Sequence, residues 1–275
     1  MTPFSSSELK FSSVLRVFPT PARHSAVRDT LIYSRRASAP GPNGTPQTLL
    51  IDADDTLWEN NVYFERAIAD FISFLNHREF TAEQVRERLN EVERASIKTH
   101  GYGIHSFANA LCNTFECLSV EALTEGVRDR IRAFALRIAE HPVEIITGVP
   151  ETLRHLVNRR HHLVLMTKGN PAEQNSKVER SGLKDYFAAV EVVAEKNASA
   201  YHAVAKKYGL DADTTWMVGN SPRSDVNPAL AAGLHAIFVP HDMTWILEHE
   251  ELAAPTRAGQ RLLRLVRFTD LTAHF

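Results

Sequence analysis

Asp52-Ala53-Asp54-Asp55-Thr56 follows directly on the apolar run Thr48-Leu49-Leu50-Ile51. In an extended or bulged segment, residues two apart point the same way, so Asp52 and Asp54 can face one site. Two close carboxylates repel, and such a pair needs a cation, or a proton on one member. Either state is useful, with one carboxylate as nucleophile and the other as general acid/base. The same residues would also serve as an acidic turn that caps a following helix. Three further stretches add weight. Thr167-Lys168-Gly169-Asn170 follows an apolar run, and a hydroxyl with backbone N–H groups at such a turn suits a phosphate oxygen. Lys196 follows Val192-Val193-Ala194-Glu195, and Gly219-Asn220-Ser221-Pro222-Arg223-Ser224-Asp225 follows another apolar run. Alone, Lys196 reads equally well as a solvated lysine at a helix start, and Asp225 as a turn residue. Their joint placement, each just past an apolar run, is what points to a shared site. Asp52, Asp54 and Asp225 around one spot would make a hard-oxygen site suited to Mg²⁺.

The elements that must position these groups are legible from periodicity. Short apolar, often β-branched runs at 48–51, 163–167, 189–193, 215–219 and 236–240 read as strands. Helical patterns such as 149–159 and 198–208 lie between them, so the expected fold is α/β with a doubly wound parallel sheet. In such sheets ligands bind beyond the carboxyl ends of the strands, where strand order reverses. Neighbouring first and fourth strands would bring Asp225 to Asp52 across 173 residues of sequence. The gap between the first two strands is too long for one crossover helix. Residues 59–146 read instead as four amphipathic helices, with stripes such as Phe64, Ile68, Phe71, Leu75 and Phe107, Leu111, Phe115, Leu118. The second opens on a Thr81…Gln84 capping box. The expected organisation is a tail at 1–46, an α/β core at 47–58 and 147–275, and a helical insert at 59–146.

The order Asp52-x-Asp54-x-Thr56, Thr167, Lys196, then Gly219-Asn220…Asp225 resembles the four motifs of the haloacid dehalogenase-like phosphohydrolases. The resemblance covers residues 48 to about 270, and the insert is similar to that superfamily's C1-type helical cap. It implies a Rossmann-like core and hydrolysis of a small phosphorylated metabolite through an aspartyl-phosphate. It also implies roles: Asp52 as nucleophile, Asp54 as general acid and then base. Thr167, Lys168, Gly169 and Lys196 would lie around the phosphate. Mg²⁺ would sit on Asp52, the Asp54 backbone carbonyl and Asp225. Many members carry Asp where this chain has Asn220, which is expected to hold a metal-bound water instead. Tyr102 and His105 of the insert are the expected substrate-facing residues, with a plain inter-helix turn at 100–105 as the alternative; Trp58, just past the first motif, is expected to line the pocket or to pack under the insert. The competing readings are a 2-haloacid dehalogenase, a phosphomutase and a non-catalytic phosphate-binding or regulatory protein. Dehalogenases of this type lack the second aspartate, which is present here as Asp54.

Composition sets the remaining bounds. The 275 residues are 44% hydrophobic and 23% charged, with net charge −2, the mix of an ordinary globular chain. Nothing in that balance favours a nucleic-acid partner. No run reaches the ~18 apolar residues of a membrane span. Cys112 and Cys117 are the only cysteines, too few for a disulfide framework or a zinc set. The expected setting is cytoplasmic, as monomer or homodimer. Residues 1–46 carry six basic and two acidic side chains with six prolines and eight serines. That composition fits a poorly structured tail, a start-site extension or an organellar transit peptide.

Overall fold

The computed structural model describes residues 45–75 and 79–275. The expectation for the N-terminal tail falls on residues of which 1–44 lie outside the described residues. Six strands form one parallel sheet: β1 (Thr48–Ile51), β2 (His162–Lys168), β3 (Ala189–Val193), β4 (Thr215–Gly219), β5 (His235–Phe238) and β6 (Leu262–Arg264). Their spatial order is β3-β2-β1-β4-β5-β6. The chain winds outward from β1 in one direction, then restarts at β4 and winds the other way. The switch point therefore lies between β1 and β4, where Ile51 pairs with Val218. Five of the strands match the sequence expectation to within a residue or two. The sixth was not foreseen, because Leu262-Leu263-Arg264 offers only three residues and too little pattern to register as a strand.

Strand geometry explains the burial. Leu49 and Ile51 face one side of the sheet, with Leu165, Val218 and Ile237. There they meet Val149, Leu153 and Leu156 of α5 (Val149–Asn158). Leu50 faces the other side with Val164 and Met217 and meets Tyr201 and Val204 of α7 (Ala198–Tyr208). Both faces are covered, so the strands are apolar throughout rather than alternating.

Between β1 and β2 lie α1 (Asn61–Leu75), α2 (Ala82–His100), α3 (Ile104–Leu118) and α4 (Glu125–Glu140). They share a core of their own: Ile68 and Phe71, Val85 and Leu89, Phe107 and Leu111, Ile131 and Ala135. The Thr81–Gln84 capping box is formed in both directions. The insert leaves and returns through paired backbone: Glu59 N donates to Glu144 O and Ile146 N to Leu57 O. Gly101 and Gly103, both at positive φ, break the chain between α2 and α3. At Gly103 a Cβ would stand 3.0 Å from the Glu173 carboxylate of α6 (Pro171–Ser181). That carboxylate accepts the Ile104 amide at 3.1 Å, so the insert's turn is seated on the core.

Candidate active site

The site sits at the carboxyl ends of β1, β2 and β4. Asp52 N donates to Val218 O at 2.9 Å, which carries the β1–β4 ladder one residue beyond the strand. The chain then doubles back: Asp55 takes φ of 61°, its N–H donates to Trp58 O, and Leu57 N donates to Ala53 O. This tight loop turns Thr56 toward Asp52, and its hydroxyl donates to Asp52 Oδ2 at 2.9 Å.

Lys196, 3% exposed, joins the two halves of the site. Its Nζ lies 2.5 Å from Asp52 Oδ1 and 2.7 Å from Asp225 Oδ1. Burial alone would lower its pKa, but Asp225 and Asp52 hold it above the ordinary value. Asp225 also accepts the Ser221 amide at 2.9 Å. Its carboxylate occupies the space beside Gly219, where a Cβ would stand 2.2 Å from Oδ2. A side chain at 219 would therefore displace Asp225. Burial, and next the Asp52 charge, pushes the Asp225 carboxyl up to about 7. Asn220 accepts from Thr56 at 3.4 Å and donates to Thr244 at 2.9 Å. Asp52, Asp225 and the Asn220 carbonyl make an oxygen-rich donor set with a single ammonium against two buried carboxylates. That set fits a hard divalent cation.

Asp54 points into the same cavity but is clasped from α6. Lys177 Nζ stands 2.6 Å from both its oxygens, Gln174 Nε2 donates at 3.1 Å and Trp58 Nε1 at 2.7 Å. Burial raises its pKa, but Lys177, by charge and hydrogen bond, then Gln174 and Trp58, hold it below the usual carboxylate value. Thr167 donates its hydroxyl to Gln174 Oε1 at 3.1 Å, so Thr167 and Asp54 meet through one amide.

Lys168 lies on the same wall, with its ammonium engaged by Glu248 at 2.5 Å, Ser224 at 2.7 Å and Tyr102 at 3.3 Å. Gly169 donates its amide to Val193 O at 3.1 Å, so that N–H is not directed at the cavity. Tyr102 reaches down from the insert to Glu195 at 2.8 Å. Trp58 is buried and also lines the cavity. His105 is not brought to the site: it is exposed on α3 and absent from the cavity wall. Its neighbours Ser106 and Phe107 take the inward positions instead.

Six functional candidates escaped sequence reasoning. Gln174 and Lys177 sit three apart on α6, on the side that also buries Val178; that polar pair beside an apolar contact was the available signal. Glu248 had none, since its 3-10 turn lies 80 residues from Lys168. Asp55, Glu59 and His241 bring one ligand atom each within 4.8 Å of one another, and His241 is too distant in sequence to associate with the other two. Asp55 also accepts the Asn60 and Asn61 amides at the start of α1.

Asp52, Asp54, Thr167, Lys196, Asp225 and Glu248 border one cavity of about 460 Å³, walled by the core below and the insert above. A sequence model of the haloacid dehalogenase-like hydrolases matches residues 46–233. The chain belongs to this family of hydrolases. A haloacid dehalogenase-like hydrolase from Xanthomonas campestris is 33% identical, with TM-score 0.66, covering 79% of this chain and 87% of that one. A phosphoserine phosphatase from Thermus thermophilus is 25% identical over 222 residues, covering 70% of this chain and 87% of that protein. The L-2-haloacid dehalogenase of Xanthobacter autotrophicus is 18% identical with TM-score 0.56 and shares the fold. The parallel sheet with flanking helices is the haloacid dehalogenase-like fold of these neighbours. Among the described residues no helix is long and apolar enough to cross a membrane.

Proposed function

We propose that this hydrolase is a Mg²⁺-dependent phosphatase acting on a small phosphorylated metabolite. The observation that carries the reading is Lys196 bridging Asp52 and Asp225, with Asp54 as a second carboxylate in the same cavity. The similarity to a phosphoserine phosphatase supports the phosphoester class.

Asp52 attacks phosphorus, the bond to the leaving oxygen breaks, and an aspartyl-phosphate forms. Asp54 gives its proton to the leaving alkoxide. It then takes a proton from water, which attacks the aspartyl-phosphate and frees Asp52. For Asp54 to carry that proton, Lys177 must loosen its hold, and an anionic phosphate is a competing partner for Lys177. Thr167 and Lys196 neutralise the transferring oxygens; phosphoryl transfer depends mainly on such positioning and charge. Asp52, Asp225 and the Asp54 backbone carbonyl would hold Mg²⁺, with Asn220 on one of its waters. Mg²⁺ would supply neutralisation of the developing charge.

The test is hydrolysis of p-nitrophenyl phosphate with Mg²⁺ and with excess EDTA, beside halide release from a 2-haloacid. Phosphate release that requires Mg²⁺ is expected. Metal-independent halide release without phosphate release would replace this reading with a dehalogenase.

A further inference from the structure

The insert contributes one charged group that the proposed chemistry does not use. Glu93 lies on the inner side of α2, 6% exposed, and lines the cavity that also holds Asp52 and Lys196. Its Oε2 is buried and has no hydrogen-bond partner among the described residues. Arg86 and Arg94 act on it through charge alone, offset in part by Glu65, and Arg86 forks onto Glu65 at 2.5 and 2.7 Å. Ser96, one turn further along α2, and Ser106 also line the cavity, and they pair with each other at 3.1 Å. The insert also lends the cavity wall the apolar side chains of Phe64, Ile68, Ile97 and Phe107. A buried carboxylate without a partner is strongly disfavoured. Burial accordingly pushes its pKa up to about 7. Such a group can stay in a ligand cavity at low cost only when the ligand supplies what the fold withholds.

We propose that Glu93 is the residue that selects the leaving group, receiving a primary ammonium carried by the substrate. The substrates are then small aminoalkyl phosphomonoesters, with phosphate at Asp52 and Lys196 and the amine at Glu93. This assignment rests on the phosphatase reading for its phosphate end only. An ammonium fits better than a neutral hydroxyl because hydrogen bonds to charged partners are about twice as strong as neutral ones. A leaving group carrying a carboxylate toward Glu93 is excluded by like charge.

The test compares aminoalkyl phosphates of two to four carbons with the alkyl phosphates in which a methyl replaces the amine. Wild-type kcat/KM should favour the amine at one chain length by at least about tenfold. In Glu93→Gln, nearly isosteric but uncharged, that ratio should fall close to one. Folding of the variant is checked by its thermal transition, which a ratio between two ligands does not depend on. The same pairs are measured for binding by calorimetry in wild type and Glu93→Gln. If no ester, p-nitrophenyl phosphate included, is turned over, the phosphatase reading fails, and the binding ratio still decides Glu93. A wild type without preference at every length, or a preference that survives in Glu93→Gln, overturns the proposal.

Discussion

Lys196 balances two buried carboxylates with one positive charge, and the consequences can be tested one residue at a time. Lys196→Met leaves Asp52 and Asp225 facing each other without a counter-ion. Removing one member of a buried ion pair typically costs ~3–5 kcal/mol, so the melting temperature should drop. Binding to the native state alone restores stability, so Mg²⁺ should stabilise Lys196→Met more than wild type. Melting curves with and without Mg²⁺ read this directly, and identical responses would argue against a metal between these carboxylates. Asp52→Asn keeps the shape but removes the proposed nucleophile, and turnover should vanish while the thermal transition remains cooperative. Asp54→Asn should lose ~10²–10⁴-fold on alkyl phosphates. The loss should be smaller on aryl phosphates, whose leaving groups need no proton. Equal losses on both, in parallel kcat/KM measurements, would remove Asp54 from the acid role. At this scale the sequence was informative. Asp52, Asp54, Thr167, Lys196 and Asp225 all border one cavity, because each lies at or beyond the carboxyl end of a strand and the strands are parallel. The ion-pair partners of Asp54 and Lys168 were not legible, since Lys177 and Glu248 have no strand end to mark them.

Helix α6 shows what an element adds beyond its residues. Asn170 caps it through Ala172 and Glu173, and Pro171 fits its first turn, where no intrahelical donor is needed. That cap fixes the helix directly after β2. Gln174 and Lys177 then fall on the side facing Asp54, and Glu173 reaches the turn between α2 and α3. One helix thus links the proposed acid to the insert. Lys177→Met should release Asp54 and raise its pKa toward the ordinary value. A general acid works only while protonated, so the rate falls as pH passes above its pKa. The falling limb of kcat/KM on alkyl phosphates should therefore move to higher pH in Lys177→Met, and move less on aryl phosphates. A pH profile superimposable on wild type would mean that Lys177 does not set the protonation of Asp54. Periodicity revealed the helices of the insert well, because each has an apolar stripe to bury. It left β6 unseen, because three residues carry little pattern, and it did not show that His105 falls on the exposed side of α3, because a helix's facing depends on what it packs against.

Across the molecule's described residues, burial raises three carboxyls to about 7: Asp55, Glu93 and Asp225. Each binds its proton more tightly in the folded state than in the unfolded chain. The stability each contributes is present below its ordinary pKa, near 4, and is lost as pH rises toward 7. His161 and His235, lowered chiefly by burial, act in the opposite sense. They favour the fold increasingly as pH rises toward the ordinary histidine value. The stability curve of the protein is therefore a sum of opposed slopes, and only a difference between two variants isolates one group. Glu93→Gln is the informative pair. The amide does not titrate, so whatever its packing contributes is the same at every pH, and the pH-dependent remainder belongs to Glu93. Below about pH 5 the folded wild type carries Glu93 protonated at little cost, and the variant should hold its smallest advantage. Toward pH 8 the wild type must either keep a charge in an apolar wall or hold a proton against the solvent. The variant's relative stability should rise by roughly 1–3 kcal/mol between those limits, at ~1.4 kcal/mol per unit of displaced pKa. Denaturant titrations of both proteins at pH 5, 6.5 and 8, without ligand, measure it. A difference that stays flat across this range would mean that Glu93 finds a partner in the empty cavity, and the case for an ammonium would lose its physical basis. A rising difference that an aminoalkyl phosphate flattens, by binding the wild type more tightly than the variant, would tie the unpartnered charge to the ligand that satisfies it.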